Sequence, residues 1–471
     1  MQPTKLTRVD RTPPRRLFIV TAIDSRMFPN RDHIARTPVR EVALGCVEAG
    51  IRAAHPETVF AERVEVRDDV LYVDGARFDL SAYEDVYVVG GGNVAGHVAA
   101  ELERLLGDRI TAGVVVTDDP VDTDSIDVVE GDYPVPSERC MLGTRRVLQL
   151  AEEATADDLV LTALSGGGSP LLSAPVPDIS LSDLQTVTED LFANGVSDKH
   201  VNVVRKHLSA VKGGKLARAA APAAIVTLLF SDVVSQKRTA VASGPTLPDE
   251  STYADALEIF DRYGISPPTR VKHHLERGRS GAIPETPTAE ADAFDRASCI
   301  TIADGMTALR GAQAKAESLG FESLILTTRL RGRAQESVKP LVGIGEECYF
   351  SGTPVEPPAV LLAAGQTSIP TFGSMKQGPN QEFALSGAVE FHETLGAAAA
   401  LASVATDGVD GHAECSGAVV DHTSAEPMSD AWDALNTNRI SQQLSRNGDR
   451  VPSVPTGTNV NDLHVLVIQD E

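Results

Sequence analysis

Four of the ten lysines in this 471-residue chain, Lys199, Lys206, Lys212 and Lys215, fall within VSDKHVNVVRKHLSAVKGGKLAR, together with Arg205 and Arg218. Ser197-Asp198 reads as a helix start and Gly213-Gly214 as a stop, so the pattern predicts a helix over 199–211 and a second from Lys215. At spacings of three and four, Asn202, Arg205 and Lys206 share a face, while Lys212 and Lys215 flank the glycine turn. Such a cluster has two uses. It answers the helix dipole and neighbouring carboxylates, or it holds a small anionic substrate, for which the planar fork of Arg205 suits a carboxylate.

Other groups with chemical potential follow strand-like runs. Gly90-Gly91-Gly92-Asn93 and Ser165-Gly166-Gly167-Gly168-Ser169 offer backbone N–H groups to an anion at the start of a following helix. Neither fits a P-loop or a dinucleotide fingerprint, and tight turns use the same residues. Asp232, Asp407 and Asp410 stand where strands end, as Mg²⁺ chemistry on phosphates requires, although Asp-Gly pairs also make plain turns. No Ser-His-Asp or Cys-His arrangement is recognisable, and the eleven histidines show no metal-ligand spacing. The adjacent pair His273-His274 reads as part of a solvated helix face.

The elements that must carry these groups alternate. Apolar runs of strand length at 84–93, 158–170, 223–235, 358–368 and 400–411 end in small or acidic residues, and amphipathic helical segments such as 93–107 and 306–320 lie between them. Near-continuous apolar strands alternating with helices predict an α/β protein with parallel strands buried on both faces. The polar stretch 264–292 reads as a helix-containing linker between two units. No apolar run approaches the length of a membrane span. The first eighteen residues lack the apolar core of a secretory signal, which points to a disordered leader and a cytoplasmic protein. Five cysteines without a CxxC pair argue against a disulfide framework or structural zinc. The net charge of −24 repels nucleic acid over most of the surface. The acidic, lysine-poor composition fits solubility in concentrated salt.

The blocks NVVRKHLSAVKGGKLA, SDVV, ASGPTLPDEST, TDGVDG with SGAVVD, and PTGTNVNDL, taken in order, resemble the type II glycerate kinases, whose C-terminal part carries the MOFRL domain. The resemblance runs from about residue 40 to residue 468. It implies two domains with the active site in the cleft between them: a Rossmann-like parallel-sheet domain over 16–263, the linker 264–292, and a smaller α/β MOFRL-type domain over 293–471. It also implies phosphoryl transfer from ATP to D-glycerate with Mg²⁺, the 2-position being favoured.

Placed on this sequence, the expected catalytic residues are Lys206, Lys212 and Asp232, and the expected substrate ligands are Asn202, Arg205, Ser165 and Asn380. Gly90, Gly91, Gly92, Asn93, Gly166, Gly167, Gly168, Ser169 and Lys215 are expected at the nucleotide, and Asp407 and Asp410 at the metal. The chain departs from the family pattern where a lysine becomes Asn93, a glutamate Gln366 and an arginine Pro379; Arg331, Arg333, Lys376 and His97 are the candidate replacement cations. A kinase of another hydroxy acid, and a ligand-binding relative without the chemistry, are the alternatives. No oligomeric state is legible.

Overall fold

The computed structural model describes residues 27–235, 237–370 and 377–470. The leader expected over the first eighteen residues and the candidate cation Lys376 lie outside the described residues. Among them, no helix is long and apolar enough to cross a membrane.

Six parallel strands form the first sheet: β1 (Val86–Gly91), β2 (Ala112–Thr117), β3 (Ile126–Glu130), β4 (Leu159–Ser165), β5 (Ala224–Phe230) and β6 (Ala297–Ala303). Their spatial order is β3-β2-β1-β4-β5-β6, the order of doubly wound dinucleotide-binding sheets, so the Rossmann-like expectation describes this unit. Every residue of β4 and β5 is buried, which explains their unbroken apolar runs. Helix α1 (Ala95–Leu106) packs Val98, Ala99, Leu102 and Leu106 into the same core. The strand order reverses between β1 and β4, and a crevice opens at the carboxyl ends of those two strands. Both glycine triplets lie there.

The second sheet is mixed. Its strands are β7 (Glu322–Arg333), β8 (Ala359–Ser368), β9 (Ala399–Ala405), β10 (Cys415–Asp421), β11 (Arg450–Pro452) and β12 (Asp462–Ile468), in the order β7-β8-β12-β9-β10-β11. Only β7 and β8 run parallel. The expectation of parallel strands therefore fails here. An apolar run records burial on both faces, whichever way the neighbours run, and β8, β9, β10 and β12 are covered on both sides.

The expected boundaries also shift. Helix α2 (Pro38–Ala53) packs on the second sheet beside α3 (Gly305–Ser318), and β6 hydrogen-bonds to β5 in the first. The chain thus crosses between the layers at both places. Gly50 and Gly311 allow the close approach of α2 and α3, since a Cβ on Gly50 would lie 2.9 Å from the Ala308 carbonyl oxygen. Residues 264–292 are not a linker. Helix α4 (Thr269–Arg279) buries Val271, His274 and Leu275 in a helical cluster of the first unit. His274, expected on a solvated face, is 3% exposed, lies against Tyr253, and hydrogen-bonds through Nε2 to the His207 carbonyl.

Candidate active site between the sheets

The two glycine loops at the crevice differ in what they leave free. In the first, Gly92 N donates to Val116 O at 3.0 Å, Asn93 N to Gly166 O at 2.9 Å and Val94 N to Ser165 Oγ at 3.0 Å. Its glycines serve contact, because a Cβ on Gly90 would collide with the Ala163 backbone and one on Gly92 with Ser165. In the second loop, Gly167, Gly168 and Ser169 have no backbone acceptor among the described residues. Gly167 is left-handed, with φ +70°. Ser165, expected at the substrate, is 1% exposed and its hydroxyl donates to Gly166 O.

The lysine-rich helix forms over Asp198–Leu208, and Gly213 and Gly214, with φ of +59° and +76°, turn the chain into a short helix over Lys215–Ala220. The cations of this motif are mostly internal. Lys206 Nζ donates to Asp249 at 2.9 Å, Lys212 Nζ to Leu172 O at 2.6 Å, and Lys215 Nζ to the carbonyls of Lys206 and Ser209. All three residues are buried. Burial pushes the Lys212 and Lys215 ammonium groups down to about 7. Lys206 and Lys212, expected at the chemistry, and Lys215, expected at the nucleotide, thus all give their ammonium groups to protein acceptors, Lys206 to a carboxylate and the other two to backbone carbonyls. Arg205 differs, making no hydrogen bond or ion pair among the described residues while its guanidinium lies 5.3 Å from the Phe192 ring centroid. Burial lowers it to about 10. One turn earlier, Asn202 Oδ1 accepts from Ser243 Oγ, which is 2.9 Å from Ser169 Oγ, so the helix reaches the second glycine loop through one hydroxyl.

Facing this crevice is a cavity of about 170 Å³, whose walls come from both sheets. Asp232 and Tyr133 line it from the first unit; Gln366, Pro379, Asp407, Asp410 and Asp462 line it from the second. Burial pushes the Asp232 carboxyl up to about 6, Asp410 to about 6 and Asp407 to about 7, the last also through Asp118 and Asp232 nearby. Asp462 is raised well above the carboxylate range by the same cause.

These acids are not equivalent. Both oxygens of Asp410 are occupied, accepting from the backbone N–H groups of Asn380 and Gln381 at 2.9 Å and from their side chains. Asp410 therefore caps helix α5 (Pro379–Phe391) from a separate loop, where a negative charge suits the helix start. This corrects its assignment as a metal ligand. Asn380, expected at the substrate, is fully buried: its amide donates to Asp410 and Asp462 and its oxygen accepts from Ser403. Asp407 accepts from Val409 N through one oxygen. In Asp462, Oδ1 accepts from Asn380 while the buried Oδ2 has no partner.

A strap over residues 456–461 joins the two units. Thr458 Oγ1 donates to Ala54 O at 2.7 Å, Asn459 Nδ2 to Asn93 Oδ1 at 2.9 Å, and Asn461 Nδ2 to Asp232 O at 2.5 Å. Val460 enters the core of the first unit. Asn93 donates to both oxygens of Asp118 at 2.9 Å. His97 is engaged with Asp119 at 2.9 Å, whereas Arg331 and Arg333 stand exposed at the end of β7. Sequence reasoning missed Asp462, Asn459 and Asn461. They lie in PTGTNVNDL, where the alternation of amides with small residues was the available signal.

The family profile described as a domain of unknown function, DUF4147, matches residues 42–276, and the MOFRL family profile matches residues 359–462. A glycerate 2-kinase of Pyrococcus horikoshii is 34% identical over 439 residues, covering 91% of this chain and 97% of that protein. A relative from Agrobacterium vitis with a provisional hydroxypyruvate reductase name is 37% identical over 390 residues, covering 81% and 86%. The crystal structure of a glycerate kinase from Thermotoga maritima superposes with a TM-score of 0.76 at 32% identity, over 91% of this chain and 99% of that one.

Proposed function

The chain belongs to the glycerate kinase family that carries a C-terminal MOFRL domain, and from that premise we propose that it transfers the γ-phosphoryl group of ATP to D-glycerate, giving 2-phosphoglycerate. The observation that carries the reading is the complementarity of the two walls. N–H groups of Gly167, Gly168 and Ser169 without a backbone acceptor lie at the end of one sheet, and the carboxyl groups of Asp407, Asp410 and Asp462 line the cavity from the other. Phosphoryl transfer asks a protein mainly to position two anions in line and to neutralise charge.

In this reading Arg205 takes the substrate carboxylate, because its guanidinium has no internal partner and its fork matches two carboxylate oxygens. The amides of 167–169 take phosphate oxygens. Asp232 accepts the proton of the attacking 2-hydroxyl. Its position against Gly166 leaves the carboxylate at the cavity, and burial makes it a stronger base than an exposed aspartate.

Among the described residues no three of His, Cys, Asp or Glu are placed to hold one ion. The unpartnered Oδ2 of Asp462 and the outer oxygen of Asp407 nevertheless suit a Mg²⁺ that keeps waters and phosphate oxygens as its other ligands. Bound there, Mg²⁺ would supply charge neutralisation on the transferring group.

ATP consumption with and without D-glycerate, at low and high salt, tests the proposal, and phosphorus NMR of the product separates 2- from 3-phosphoglycerate. ATP consumption with another hydroxy acid and none with glycerate would replace the substrate. Oxidation of NADH by hydroxypyruvate would instead bring in the activity named for the Agrobacterium relative. Asp232→Asn should reduce turnover by roughly 10²–10⁴, the usual weight of a general base.

A further inference from the structure

Among the described residues, the cavity is lined by four aspartates and by no lysine or arginine. A nucleotide entering it would meet like charge unless cations stand at its rim. The end of β7 supplies them. β7 and β8 are parallel, with Arg331 opposite Gln366 and Arg333 opposite Ser368. Residues paired across a ladder project to the same face, and residues two apart along a strand share it. Gln366 lines the cavity, so Arg331, its neighbour across the ladder, stands beside the cavity's edge, with Arg333 two residues further along the same face.

The local backbone is arranged for this delivery. β7 departs from regular register between Ile325 and Thr327 and again between Thr327 and Leu330, just before the two arginines. Such bulges re-aim the side chains that follow them. Gly365 lets the strands approach there, since a Cβ would collide with the Leu330 backbone. The tip is then pinned, Ser337 Oγ donating to Arg331 O at 3.0 Å and Ser368 Oγ to Gly332 O at 3.3 Å. Yet neither guanidinium makes a hydrogen bond or ion pair among the described residues. The charge of Arg333 reaches the first turn of α5, where burial raises the Glu382 carboxyl and Arg333 draws it back down. Pro379, a cavity residue, opens that same turn.

We infer that Arg331 and Arg333 form a phosphate-chain rim, holding the distal phosphates of the nucleotide beside a cavity whose described lining offers no cation. The assignment rests on the reading of the cleft as a phosphoryl-transfer site. It makes the rim, and not the cavity floor, the place where a triphosphate is told from a monophosphate.

Isothermal titration of the whole chain with Mg²⁺-tripolyphosphate, Mg²⁺-ADP and AMP tests it without turnover. Arg331→Ala and Arg333→Ala should each weaken tripolyphosphate and ADP about tenfold, the effect of losing one charge-assisted hydrogen bond, with AMP unchanged within about twofold. The lysine variants should recover part of the loss, because charge returns without the fork. Both side chains are exposed, and melting curves would verify that folding is unaltered. Unchanged tripolyphosphate affinity in the double alanine variant overturns the rim; so does an equal loss for AMP. If tripolyphosphate binding weakens as expected while the unmodified chain fails to phosphorylate glycerate, the rim stands and the substrate assignment falls.

Discussion

Asn459 donates its side-chain amide to the side-chain oxygen Oδ1 of Asn93 at 2.9 Å, and so joins the segment before the last strand of one sheet to the first glycine loop of the other. Asn93 spends its own amide on both oxygens of Asp118. Burial raises the Asp118 carboxyl, and this amide counteracts that. Asn93 thus builds a neutral bridge between the units.

Asn459→Ala should destabilise the protein by about 1–3 kcal/mol, because it strands the buried side-chain oxygen Oδ1 of Asn93. Denaturant titration followed by both fluorescence and circular dichroism would measure it. A midpoint equal to that of the unmodified protein would mean the contact contributes nothing across the cleft.

Arg205→Ala should weaken glycerate binding by roughly 1.5–3 kcal/mol, the range for a hydrogen bond to a charged group. The melting temperature should barely move, since this side chain satisfies no internal partner. Calorimetric titration decides between this and a structural role, for which affinity would stay constant.

Lys206→Met should act in the opposite manner. It leaves Asp249 buried without its ammonium partner, a loss of about 3–5 kcal/mol for a buried pair, tempered here by Ser251 and Thr286 on the same carboxylate. Turnover per folded molecule should stay within about threefold of the unmodified protein, far short of the loss expected for a general acid or base. Adding Asp249→Asn should restore much of the stability. A collapse of turnover in a fully folded variant would return Lys206 to the chemistry.

Asp407 has an ordinary value of 3.8 and is pushed to about 7 in the fold. Folding therefore disfavours its ionised form, so the cost is absent below about pH 4, grows between pH 4 and 7, and is complete above. Asp407→Asn should stabilise the metal-free protein at pH 8 by a few kcal/mol and have no effect near pH 4. Thermal melts across that range with a chelator present would show it. A stabilisation independent of pH would exclude Asp407 titration as its source.

Restoring cations by Asn93→Lys with Pro379→Arg should raise the turnover number more than it changes glycerate affinity, as expected when charge acts on the transferring group. Lys at 93 would face Asp118, and Arg at 379 would enter the cavity wall. Steady-state kinetics on both proteins separates the two constants. A gain confined to KM would place the new charges on substrate binding.

What the sequence disclosed follows from what local pattern can encode. Runs such as Leu159–Ser165 declare a strand buried on both faces, and the glycine triplets mark where such strands end. Direction and partnership are not local properties. Nothing local to Pro38–Ala53 shows that its apolar face covers a sheet assembled from residues 322–468. The lysine cluster misled for a related reason. A buried lysine that fastens carbonyls and one that grips a phosphate have the same composition, and only the positions of Leu172 O and Asp249 distinguish them. Asp462 stayed unread because its unpartnered oxygen becomes visible only when Asn380 takes the other one.

The crossing of the chain between the layers sets a schedule for biosynthesis. As the polypeptide leaves the ribosome from its amino end, Pro38–Ala53 appears long before Asp462–Ile468, the strand its apolar side packs against. The intervening first sheet can assemble in that interval except for its edge strand Ala297–Ala303, which follows just ahead of the second sheet. The helix must wait with Leu44, Val47 and Ile51 only partly covered, by Gly305–Ser318 at most, until the strand Asp462–Ile468 has emerged. A nascent chain arrested before residue 462 should therefore remain sensitive to proteolysis within residues 38–53 while residues 86–230 are already protected.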